Sequence, residues 1–116
     1  MVIARPFSHF VNKTRKLRSS LAEAMKNFIT IGIIGDFEER PSQMATNEAL
    51  QGAKEYLGRD LQWKWIHTNI FQQSDPGETV QKYQGILCGP GSYSHPPGAI
   101  HAIQYCRKND VPFLGT

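Results

Sequence analysis

The chain has 116 residues, 40% of them hydrophobic, with two cysteines and a formal charge of +3, which leaves room for one small domain around one core. Its longest apolar run, residues 29–34, is stopped by Gly35 and Asp36, far short of the roughly 18 residues of a membrane span. The charge is lopsided: residues 1–28 hold six Lys/Arg against Glu23 alone, a net +5, whereas residues 29–116 hold seven against nine acidic groups, a net −2. A mildly acidic domain with no aromatic-flanked basic stripe does not attract a phosphate backbone, so neither nucleic acid nor membrane is expected as a partner.

The leader comes first. Phe7, Phe10, Val11, Leu17, Leu21, Met25 and Phe28 fall close to one stripe of a helix, in a Ser-rich, acid-poor context. A transit peptide has that composition, but a solvated basic helix or an over-extended start, with Met25 the true beginning, is the simpler expectation.

From residue 29 the pattern alternates. A β-branched run, Ile29 to Ile34, predicts a strand ending in Gly-Asp. A helix is expected from Ser42, its N-cap, to Leu57, with Gly58 as the stop and Ala45, Ala49, Leu50, Ala53 and Leu57 facing the sheet. Leu61 to His67 alternates apolar and polar residues and predicts a strand near a sheet edge. The polar stretch from Asn69 to Lys82 contains Asp75-Pro76-Gly77, a strong turn signal, with a short helical turn from Glu78 to Tyr83. A third strand, Gly85 to Cys88, runs into Gly89-Pro90-Gly91-Ser92. A helix from Pro97 to Lys108 and a fourth strand from Pro112 to Leu114 follow. Strands and helices that alternate through short connections pair most easily in parallel, so the expectation is an α/β fold: part of a doubly wound sheet of about four parallel strands.

In such sheets ligands bind at the carboxyl ends of the strands. Three loops qualify: Gly35-Asp36-Phe37, Gly89 to His95, and Gly115-Thr116. Gly91 and Ser92 are suited to presenting backbone N–H groups to an anion or a developing oxyanion, although a tight strand-to-helix turn explains the same four residues. Cys88 and Cys106 sit in apolar segments and read as buried, reduced thiols of a cytoplasmic protein. His67, His95 and His101 lack metal-ligand spacing, and no cofactor is implied. Asp36 and Glu48 read as a turn residue and a solvated helix residue.

Taken in order, "IGIIGDF", "RPSQMATNEAL", "YQGILCGPGS" and "GAIHAIQYCRKNDVPFLGT" resemble the glutaminase domain of CTP synthase and its free-standing relatives, over residues 29–116. The closing "AIQYCRKNDVPFLGT" is similar to the approach to the nucleophile elbow in class I glutamine amidotransferases. The resemblance implies a flavodoxin-like amidotransferase sheet. It makes Gly91 and Ser92 the oxyanion loop, Tyr93 a neighbour of the glutamine substrate, and Gly115 and Thr116 the rising limb of the elbow. It implies glutamine or a related small amide as substrate and a synthetase domain or subunit as partner. The loop departs from the family in being poorer in glycine, continuing Tyr93-Ser94-His95-Pro96-Pro97, and Glu38-Glu39-Arg40 also differs from the CTP synthase pattern.

The family's nucleophile would come immediately after Thr116, so no catalytic residue is assigned within residues 1–116 and the chain as it stands is expected to be inactive. A UGA codon for selenocysteine at that point is the sharper expectation, with a nonsense mutation, a frameshift or a deliberate truncation as alternatives. Two other functions compete: a non-catalytic α/β module that binds a small anion or a protein, and a translated fragment without function.

Overall fold

The computed structural model describes residues 28–115; the leader expectation and Thr116 lie outside the described residues. In chain order the elements are β1 (Phe28–Ile34), α1 (Pro41–Leu57), β2 (Asp60–Ile66), α2 (Ile70–Gln73), α3 (Pro76–Val80), β3 (Gly85–Cys88), α4 (Pro96–Lys108) and β4 (Phe113–Gly115). All four strands are parallel, in the order β2-β1-β3-β4. This is an α/β fold whose sheet matches the first four strands of a flavodoxin-like arrangement. The β-branched β1 lies in the middle, with Ile31 opposite Trp63 of β2 and Gly85 of β3.

Alternation along the strands gives the sheet two unlike faces. On one, Ile34, Ile66, Ile86 and Cys88 form a closed core with Phe71 of α2, Val80 of α3 and Ala99, Ala102 and Cys106 of α4. The 99, 102, 106 spacing is a single helical stripe, and its small side chains let α4 lie close to the sheet. Completely burying a side chain such as Ile34 is worth about 1.5–3 kcal/mol.

The other face carries Trp63 and Trp65 and is covered by α1, in a way the apolar pattern did not anticipate. Ala45, Ala49 and Leu57 are exposed, while Gln43 is buried and Thr46, Asn47, Leu50, Ala53 and Lys54 are partly covered. The inward face is therefore rotated from the expected one. The cause is hydrogen bonding: Asn47 Oδ1 accepts from both indoles, Trp63 Nε1 at 3.1 Å and Trp65 Nε1 at 2.9 Å. Counting apolar residues assigns such a stripe to the solvent side.

The helix ends also depart in detail. The N-cap of α1 is Arg40 rather than Ser42, because Pro41 occupies the first helical position, where its missing N–H costs nothing. Gly58 stops the helix as expected, with a left-handed φ of 62°. Asp75-Pro76-Gly77 is a helix start, not a turn: Asp75 accepts from the Gly77 N–H at 3.3 Å and Pro76 opens α3. The single turn α2 has no counterpart in the sequence pattern.

Ile34→Ala should therefore cost about 3 kcal/mol, whereas Leu57→Ala, at a position 57% exposed, should change stability by less than about 0.5 kcal/mol. Urea unfolding of the two variants checks both; comparable losses would restore Leu57 to the core.

Candidate functional site

Because the strands are parallel, the loops after β1, β2 and β3 all emerge at one edge of the sheet, and the order in which strands are added reverses between β1 and β3. That crevice is where open α/β sheets bind ligands. Three polar side chains from three loops and a fourth from α1 build it.

Asp36, two residues past β1, is 6% exposed. Its Oδ1 accepts from the Thr68 N–H at 2.9 Å and the Thr68 hydroxyl at 2.8 Å, and its Oδ2 accepts from the Ser94 N–H at 2.6 Å. His67 Nε2 stands 3.5 Å from the same oxygen. A buried carboxylate with no partners is pushed toward its neutral form, but here the hydrogen bonds outweigh burial. Desolvation raises the pKa, the bonds from Thr68 and Ser94 lower it, and the balance falls to about 2. Thr68 relays the contact, its hydroxyl also accepting from the His95 N–H at 3.0 Å. One charge thus joins the ends of β1, β2 and β3.

Gln43, on the first turn of α1, is fully buried and uses both ends of its amide. Oε1 accepts from the N–H groups of Glu38 at 2.8 Å and Arg40 at 3.2 Å, while Nε2 donates to the carbonyls of Asp36 at 2.9 Å and Pro90 at 3.2 Å. Between the Pro90 carbonyl and the Ser94 N–H, both tied down, lie Gly91, Ser92 and Tyr93. Gly91 has φ of 115°, and a Cβ there would lie 2.7 Å from Gln43 Nε2, so conformation and space both require glycine. Gly91 and Ser92 are exposed, and among the described residues their N–H groups have no hydrogen-bond partner.

Of the residues expected from sequence, Gly91, Ser92 and Tyr93 follow β3 and Gly115 ends β4, while Thr116 lies outside the described residues. Tyr93 points inward: its hydroxyl donates to the Gly89 carbonyl at 2.8 Å, and its pKa is raised, first by burial and then by the neighbouring Cys88. Gly115 pairs with Cys88 in the β3–β4 register, so the chain leaves β4 at the same edge as the Gly91 loop. Cys88 and Cys106 are buried and burial pushes both thiols up, the opposite of what a thiolate nucleophile needs. Asp36 is not the simple turn residue expected of it. Gln43, Thr68 and Ser94 carried no sequence signal of their own beyond their places: the third helical position, where a glutamine reaches back to the cap, and the residues just beyond strand ends.

Asp36→Asn puts an amide where only acceptors fit, and at neutral pH it should cost about 2–3 kcal/mol. The folded pKa is depressed, so the wild-type carboxylate contributes fully above about pH 5 and its contribution is lost as the pH falls toward about 2. Urea unfolding across that range should show a slope for the wild type that Asp36→Asn lacks.

No family model matches the chain. It is similar to CTP synthases: 31% identical over 90 residues to that of Dehalococcoides mccartyi, 34% over 89 residues to that of Staphylococcus carnosus, and 34% over 98 residues to that of Methanocaldococcus jannaschii. These matches take in 75–77% of this chain and 16–18% of each relative, so the chain spans about a sixth of the length of the curated relatives it matches. Three quarters of the chain accordingly make up a CTP synthase-related domain.

Proposed function

We propose that this domain is the oxyanion-binding half of a glutamine-amide site, of the kind class I glutamine amidotransferases use to release ammonia. Acyl transfer from a carboxamide needs donors fixed where the negative charge develops, a nucleophile, and a base. The observation that carries the reading is the Gly91–Tyr93 arch, pinned at Pro90 and Ser94, with two N–H groups at the carboxyl edge of the sheet that have no hydrogen-bond partner among the described residues. A pre-set loop of this kind pays no reorganisation cost as charge builds on the carbonyl oxygen.

In this reading Gly91 and Ser92 donate to the amide oxygen, Tyr93 forms the floor beside the substrate, and Gly115 with Thr116 forms the approach to the nucleophile. Neither Cys88 nor Cys106 takes that part, being buried with raised pKa values. No cofactor enters the chemistry. The ammonia would serve a synthetase domain or subunit, and the similarity to CTP synthases makes pyrimidine biosynthesis the fitting context. Residues 1–116 alone bind the amide and do not hydrolyse it. Among the described residues no helix is long and apolar enough to cross a membrane.

Titrating the ¹⁵N-labelled protein with L-glutamine tests this. The expected result is amide shifts concentrated at Gly91, Ser92 and Tyr93, with no ammonia released. Shifts concentrated elsewhere, or none up to the solubility of glutamine, would remove the reading, and an equal response to simple anions would leave an anion-binding module in its place.

A further inference from the structure

The geometry points to Gln43 as the positioning residue that sets the direction of the Gly91 and Ser92 N–H groups. The inference rests on the reading of Gly91–Tyr93 as the donor loop, and it concerns a residue that itself touches no substrate. Three observations carry it. Gln43 is fully buried and makes four hydrogen bonds, which satisfy both faces of its amide, so its own orientation is over-determined. It spans the crevice between the β1–α1 and β3–α4 loops, the place where a ligand would otherwise wedge them apart. Both left-handed residues of these loops depend on it: Oε1 holds the N–H groups on either side of Glu39, whose φ is 57°, and Nε2 lies directly against Gly91.

A non-glycine residue in the left-handed region costs about 1–2 kcal/mol and persists only where its surroundings hold it. One amide group therefore holds the Glu39 turn with its acceptor and, with its two donors, ties the Asp36 carbonyl of that loop to the Pro90 carbonyl of the Gly91 turn. Asp36 fixes the far end of the same arch at Ser94, so the donor loop is held from below by an amide and from the side by a carboxylate. Neither clamp alone defines the arch: with Pro90 released, Gly91 and Ser92 are held only through Gly89, tied to Ile34 and the Tyr93 hydroxyl, and through Ser94.

The two ends of the amide separate positioning from mere packing. Gln43→Glu keeps the shape and the acceptor but removes both donors. Near pH 8 the introduced carboxylate should face the Asp36 and Pro90 carbonyls with nothing to offer them. Backbone ¹⁵N relaxation should then show order parameters at Gly91, Ser92 and Tyr93 falling from about 0.85 to below about 0.6, while Glu38 and Arg40 stay ordered. Lowering the pH until that carboxyl takes up a proton restores one donor, and the loop should become ordered again, which a simple packing defect would not do. Should Gln43→Glu not fold, Gln43→Met, which lacks both functions, should loosen the 38–40 and 90–93 segments together and leave the Ser94 N–H in place.

An unmoved Gly91 loop in either variant would overturn the assignment, as would equal loosening of both segments in Gln43→Glu with no recovery at lower pH. The L-glutamine titration of the wild-type protein is read separately. If glutamine leaves the wild type unshifted while Gln43→Glu releases the loop, the amide-site reading fails and the positioning role stands. If glutamine binds the wild type and Gln43→Glu alike with the loop rigid, the reverse holds.

Discussion

A buried carboxylate can stay charged only if its oxygens are met by donors, and Asp36 is met by three from two other strand ends. The site follows from that requirement. The Thr68 N–H and hydroxyl bring the end of β2 against the end of β1, and the Ser94 N–H brings in the loop after β3. Sheet pairing fixes where the strands end, but not how the loops beyond them lie. The carboxylate supplies that second constraint at Ser94 and the Gln43 amide adds another at Pro90, so the sequence Gly-Pro-Gly-Ser is held on both sides.

The two faces of the sheet are held by different physics. Beneath, α2, α3 and α4 close an apolar core around Ile34, Ile66 and Ile86, and the energy there is mostly burial. Above, α1 attaches through Asn47 to two indoles and through Gln43 to two loops, and the gain is in orientation more than in area. Ile33 and Leu61 are buried on that side too, and its amides add the geometry of the carboxyl edge. On that polar side Leu50 of α1, Leu87 of β3 and Leu114 of β4 line a shallow groove of about 290 Å³ beside the sheet edge.

What could be read from the residues alone follows the same division. The strands β1 and β3 and the helix α4 announce themselves through short apolar runs, β-branched in β1, and the Ala99, Ala102, Cys106 stripe, since apolar periodicity is a local signal. The parallel order follows from their alternation. The Gly91-Ser92 loop stood out in the sequence as glycine just past a strand end, a pattern that a tight turn also explains, and its part as a donor of N–H groups belongs to the proposal. Asp36, Gln43, Thr68 and Ser94 did not stand out, because each acts through partners that include ones 32 to 58 residues away, and nothing in the neighbouring sequence encodes that distance. The inward face of α1 was misjudged for a related reason: a buried glutamine or asparagine looks like solvent-facing sequence until its partners are known.

The titration of the Asp36 carboxyl, followed through its side-chain ¹³C resonance, tests the central claim most directly, because burial and hydrogen bonding push its pKa in opposite directions. A midpoint well below the ordinary 3.8, approaching about 2, is the predicted result. A midpoint at or above 3.8 would mean that the donors from Thr68 and Ser94 do not hold the charge, and the loops would lose the tie on which the site depends.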